Sequence, residues 1–156
     1  MLRGEFIRGD GLVIPNNITT YGVKMLFQWG LVNTGYDLHM ALANCNPDPL
    51  LDLANMGEPA IATGNYARQS IPRGIGGWPV QGEFNGEQYY ETAVHVFEAT
   101  GAGFSLPINR IALVNTVGEV VGLKVVALSG PLPEAVTITG GTLLAARSFK
   151  YRIYGR

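Results

Sequence analysis

Short strand-like stretches recur at about ten-residue spacing from Trp78 to the C-terminus, which restricts the chain to a few all-β architectures. Val80–Phe84 precedes Asn85-Gly86, the dipeptide most suited to a two-residue hairpin. Tyr89 to Glu98 follows as one alternating strand, with Tyr90, Thr92, Val94, Val96 and Glu98 expected on the core face. Gly101 and Gly103 turn the chain toward Phe104. Arg110–Asn115 and Val120–Leu128 read as strands, and GPLP at 130–133 closes that hairpin or crosses between sheets. Val136–Thr139, the Gly140-Gly141 turn and Thr142–Tyr154 finish the chain. Most of the 21 glycines and 9 prolines fall in the gaps. The expected fold is mainly β, an antiparallel β-sandwich or jelly-roll-like barrel. Strands do not alternate with helices, which argues against a parallel α/β sheet.

The first half reads differently. Leu2 to Arg8 suits a short strand or an extended arm, and residues 1–11 are the candidate arm. Asn16-Asn17 offers a helix cap. From Ile18, the positions Tyr21, Gly22, Met25, Leu26 and Trp29 keep helical spacing, with Lys24 the sole charge and Gly30 the stop. This is the one apolar helix expected. Tyr36 to Ala43 alternates as a strand carrying His39. Asn44 to Pro59 reads as a loop with a helical turn at Leu50–Met56. In the stretch Thr63–Trp78, Tyr66, Arg68 and Ser70 alternate with Ala67, Gln69 and Ile71, Pro72 ends the ladder and GIGG makes a turn before Trp78. No repeat or linker divides the 156 residues, so a single domain is expected.

Charge sets a second constraint. Charged residues make up 15% of the chain against a usual share of about a quarter, and mean hydropathy is +0.15. So thin a charged coat implies that identical subunits or a larger assembly cover part of the surface. The formal net charge is −1, without the basic excess that phosphate binding demands, so no nucleic-acid partner is expected. Arg147, Lys150, Arg152 and Arg156 form the basic cluster. On a strand Phe149, Tyr151 and Ile153 face one way and Lys150, Arg152 and Tyr154 the other, which reads as a solvated or interface-facing edge strand. Cys45 stands alone, so no internal disulfide is expected. No apolar run approaches a membrane span, Lys124 interrupting the best, and the N-terminal charges do not suit a signal peptide; assembly in a cytoplasm is expected.

Catalytic patterns do not assemble. Ser70, Ser105, Ser129 and Ser148 lack the G-x-S-x-G setting of a nucleophile elbow. Cys45 with His39 or His95 would make a thiol dyad only if the fold brought them together. GIGG lacks the lysine and the following helix of a phosphate loop. Glu83, Glu87 and Glu91 read as a solvated hairpin rim rather than a glycosidase pair, and Asp48 and Asp52 fit no calcium loop. Trp78, Tyr89 and Tyr90 suit core or subunit contacts better than sugar stacking. No catalytic, cofactor-binding or metal-binding residue is assigned, and no enzyme is expected.

The order of segments resembles that of small virion proteins of tailed bacteriophages. The motifs are IPNNITTYGVKMLFQW, the strand YDLHMALAN, a proline-bearing loop, NYARQSI followed by Trp78, and VFEATGAGFSLPINRIALVN; together they run from about Leu12 to Tyr154. The resemblance implies a non-enzymatic structural role. The first expectation is a capsid decoration (cement) protein that binds the assembled shell and buries apolar surface at subunit junctions. A tail, neck or adaptor component, or a carbohydrate- or receptor-binding virion module, is the alternative. It further implies a homo-oligomer, with a trimer favoured, and the major capsid protein or other virion proteins as partners, without nucleic acid or membrane. The candidate interface residues are Phe6, Ile7, Trp29, Tyr66, Arg68, Trp78, Tyr89 and Tyr90.

Overall fold

A computed structural model describes residues 2–27, 38–46, 52–115 and 125–155. The strands in these ranges are β1 (Leu2–Arg8), β2 (Val13–Ile18), β3 (Leu38–Ala43), β4 (Gln69–Ile71), β5 (Val80–Phe84), β6 (Glu87–Glu91), β7 (His95–Val96), β8 (Arg110–Asn115), β9 (Val125–Ser129) and β10 (Ser148–Gly155), with one α-helix, α1 (Thr20–Phe27), and two single 3-10 turns, Thr63–Asn65 and Leu144–Ala146. The fold is mainly β. All strand pairs are antiparallel and join in one sheet ordered β4-β3-β8-β9-β2-β1-β10-β6-β5, with β7 also on β10.

The sheet curls into a half-barrel, and the core shows why. Ile71 on β4, at one end of the strand order, shares a buried cluster with Phe149 and Tyr151 on β10, six places along it. A flat sheet at about 4.8 Å per strand would hold those side chains about 29 Å apart. Phe6, Ile14, Met40, Leu42, Ile111, Leu113 and Val126 fill the concave side between them. β3, β8 and β9 are buried on the other face too, where Ala41, Ala43, Ala112, Val114 and Leu128 pack against Met56 and Leu53. Strands covered on both sides read as continuous apolar runs. LHMALA and RIALVN are such runs, and the second has the bounds expected from sequence.

Several local expectations are corrected. Leu2–Arg8 takes the strand option and not the arm: β1 pairs with β10 on one edge and β2 on the other, near the middle of the sheet. β2 runs through Asn16-Asn17, and the helix cap is Thr19, whose Oγ1 accepts the Gly22 N–H at 2.8 Å. β10 is no edge strand, since β1 flanks it on one side and β6 and β7 on the other. Of the alternating run at Tyr66–Ile71, Gln69–Ile71 alone joins the ladder. Tyr89–Glu98 is not one strand. It breaks after Glu91, where Thr92 N–H donates to Tyr151 O and Ala93 N–H to Gly77 O. The break swaps the faces of the residues after it, so Val94 is exposed and Phe97 is buried in the core; Tyr90, before the break, is exposed as well. Trp29, Tyr36, Asp48 and the 120–124 part of the expected late strand lie outside the described residues.

Candidate assembly surface

The convex face of β1, β10 and β6 carries a charged network that follows from strand register. Glu5 lies opposite Arg152, which lies opposite Glu91, so an arginine sits between two carboxylates on its neighbouring strands. Arg152 reaches Glu91 Oε2 with Nε at 2.7 Å and Nη2 at 2.6 Å, and Glu5 Oε1 with Nη1 at 3.4 Å. Lys150 Nζ donates to Glu91 Oε1 at 2.7 Å, and the Tyr154 hydroxyl donates to Glu5 Oε1 at 2.7 Å. Arg3 pairs with Glu87 at 2.6 Å and lies 3.8 Å over the Tyr154 ring. Burial pushes the Glu91 carboxyl up, but the hydrogen bonds from Lys150 and Arg152 outweigh it and hold the group below its ordinary value. Lys150 and Arg152 are therefore taken up inside the chain, as is Arg147, which pairs with Glu98 at 2.9 Å; Arg156 lies outside the described residues.

A second polar cluster ties the loop before β4 to the sheet. Tyr66 OH donates to Glu58 Oε1 at 2.8 Å and accepts the Leu42 N–H at 3.1 Å. Arg68 grips both oxygens of Glu58, with Nε at 2.8 Å and Nη2 at 2.7 Å, a bidentate pair. The Tyr66 ring packs against Phe104 and Phe97. Burial, then the nearby Glu58 charge, pushes its phenol well above the ordinary value.

Five exposed large apolar side chains lie at the other end of the sheet, on and beside the β5–β6 hairpin and in the turn before it, while Val13, Ile61, Leu143 and Leu144 are exposed elsewhere. The hairpin forms as the sequence predicts: Phe84 and Glu87 flank a two-residue loop in which Asn85 (φ 51°) and Gly86 (φ 76°) both take the left-handed conformation. β5 ends the strand order, so its outer edge carries no strand among the described residues. Val80 is 40% exposed, Phe84 55% and Tyr90 51%. In the preceding turn Ile75 is 82% exposed, and the Gly77 carbonyl accepts the Ala93 N–H, which brings that turn beside exposed Val94.

The expected interface residues divide accordingly. Phe6 and Tyr66 are fully buried and Ile7 nearly so, which removes them as contacts for a partner. Arg68 is held by Glu58. Trp78 is half-buried, edge-on to Tyr151 with ring centroids 6.4 Å apart. Tyr89 is half-buried beside Tyr154 and beneath Arg152. Tyr90 alone of the described candidates is well exposed. Sequence reasoning missed Val80, Phe84 and Ile75; the signal was available in two apolar residues four apart just before Asn85-Gly86 and in an isoleucine among glycines.

The reactive residues are dispersed. Cys45 follows β3, with its carbonyl accepting Arg110 Nε at 2.9 Å, while His95 lies on β7, beside β10 and far along the strand order. Glu87 and Glu91 are spent in ion pairs, and Glu83 accepts Gln88 Nε2 at 3.0 Å. Among the described residues no three His, Cys, Asp or Glu side chains converge on a metal position, and no helix is long and apolar enough to cross a membrane. No known protein family, curated protein or solved structure matches the chain.

Proposed function

We propose that this chain is a structural subunit of a tailed-phage virion, acting as a decoration protein that binds the assembled shell and stabilises it. One observation carries the reading: large apolar side chains stand exposed at one end of the sheet, on the turn holding Ile75 and on the neighbouring Val94 and Tyr90. Chains with so few charges gain by covering such groups, at about 25 cal/mol per Å² of apolar surface removed from water. Burial at junctions between capsid subunits would add that free energy to the shell, since a ligand that binds the assembled form stabilises it by mass action. The reading includes closure of the curled sheet into a sandwich- or jelly-roll-like body. The seven-residue antiparallel ladder of β1 with β10, near the middle of the sheet, suits a subunit that must bear load.

The test is to mix the purified protein with undecorated shells of the phage that encodes it and pellet them. Saturable co-sedimentation at a fixed ratio to the capsid protein, with raised heat resistance of the shell, is expected. Shells that pellet alone overturn the decoration role and leave the tail or adaptor role in its place.

A further inference from the structure

We infer that β5 is a self-complementary edge that pairs antiparallel with β5 of a second copy of this chain, about a two-fold axis at Gly82. A two-residue loop makes Phe84 and Glu87 a hydrogen-bonded pair, and alternation then turns the main-chain groups of Val80, Gly82 and Phe84 inward to β6. Those of Gln81 and Glu83 point out from the free edge. Centring the axis on Gly82 sets Gln81 opposite the partner's Glu83, and Glu83 opposite the partner's Gln81. Each such pair exchanges two main-chain hydrogen bonds, and a carboxamide faces a carboxylate. Val80 then lies opposite the partner's Phe84 in a non-hydrogen-bonded pair, where side chains approach most closely. Both are exposed and on the same face of the strand.

Neighbouring registers are worse. An axis at Glu83 opposes two carboxylates, and an axis at Gln81 sets Val80 against glycine, so each loses the apolar pairs. Gly82 is fixed by the chain's own packing: the Tyr89 ring covers it so closely that an added Cβ would meet the ring at 2.7 Å. β5 also lacks the proline, lysine or bulge that normally protects an edge. Each end strand has a proline beside it, Pro79 before β5 and Pro72 after β4, but β4 is three residues long and offers a shorter edge than the five of β5. One strand edge buries less than the roughly 1,200 Å² of a standard interface, so the pair is weak, with Kd of roughly tens to hundreds of micromolar. The two-fold symmetry differs from the trimer that the phage resemblance implies, and the pairing stands independently of the virion role.

Sedimentation equilibrium of the full chain from about 10 μM to about 1 mM tests it. The weight-average mass should climb from 16.8 kDa toward twice that value. Gln81→Pro removes an outward N–H and leaves the β5–β6 bonds alone; it should weaken association at least tenfold. Phe84→Lys, at a solvent-facing position, should do the same and decides the matter if the proline variant fails to fold by circular dichroism. Gln81→Lys faces the partner's Glu83 and should tighten the pair several-fold. A mass fixed at the monomer, a trimer or open-ended association, or a dimer that neither Gln81→Pro nor Phe84→Lys weakens, would overturn the inference.

Discussion

The Tyr66 hydroxyl lies 2.8 Å from Glu58 Oε1, and through it a loop carboxylate is tied to the main chain of β3 at Leu42. This one hydroxyl satisfies a buried N–H and a nearly buried carboxylate together. Tyr66→Phe keeps the ring on Phe104 and orphans the Leu42 N–H, while Glu58 keeps both of its bonds from Arg68. A loss of about 1–3 kcal/mol in unfolding free energy is expected from the cost of a buried unsatisfied donor. Urea denaturation at fixed pH measures it, and an unchanged midpoint would show the hydroxyl to be dispensable.

Helix α1 should respond to alanine with the opposite sign from an exposed helix. Glycine within a helix ordinarily costs up to about 1 kcal/mol relative to alanine. Gly22, however, faces β9 so closely that an added Cβ would sit 1.9 Å from the Val126 carbonyl oxygen. Gly22→Ala should therefore destabilise, by roughly 1–3 kcal/mol, as the helix is pushed off the sheet. Thermal unfolding of the variant is the check, and a higher Tm would mean that the helix does not dock there.

Acid should loosen the convex face. The Glu91 carboxyl is held below its ordinary 4.5 in the folded chain. Its contribution is thus complete above pH 4.5 and is lost as pH falls through the depressed folded value. Urea midpoints from about pH 6 to about pH 3 should fall less steeply in Glu91→Gln than in the wild type. Parallel slopes would assign the acid sensitivity to other carboxylates.

The antiparallel, mainly β class was legible because turn residues and apolar runs are local signals. Asn85-Gly86 places its hairpin, and Arg110–Asn115 is apolar enough to demand burial on both faces. Strand order was not legible. Nothing near Leu2–Arg8 announces that β10, at the far end of the chain, will take its edge, so the segment also read as an arm and β10 as an edge strand. The same blindness misplaced the interface residues. Phe6 and Tyr66 look like contacts in the sequence because an aromatic in an alternating run looks alike inside and outside until its facing strand is known. The Tyr89–Glu98 periodicity failed for another reason: Thr92 and Ala93 donate to Tyr151 and Gly77, tertiary bonds that override a local pattern.

The most direct test of the assembly role uses Ile75, the most exposed large apolar side chain among the described residues, which lies outside both β5 and the charged network. Undecorated shells are titrated with wild type and with Ile75→Asp, and the bound protein is quantified in the pellet. The decoration reading predicts saturation by the wild type at a fixed ratio to capsid protein, and at least a tenfold weaker affinity for Ile75→Asp. Bare shells at every concentration, or equal binding by the variant, would contradict it.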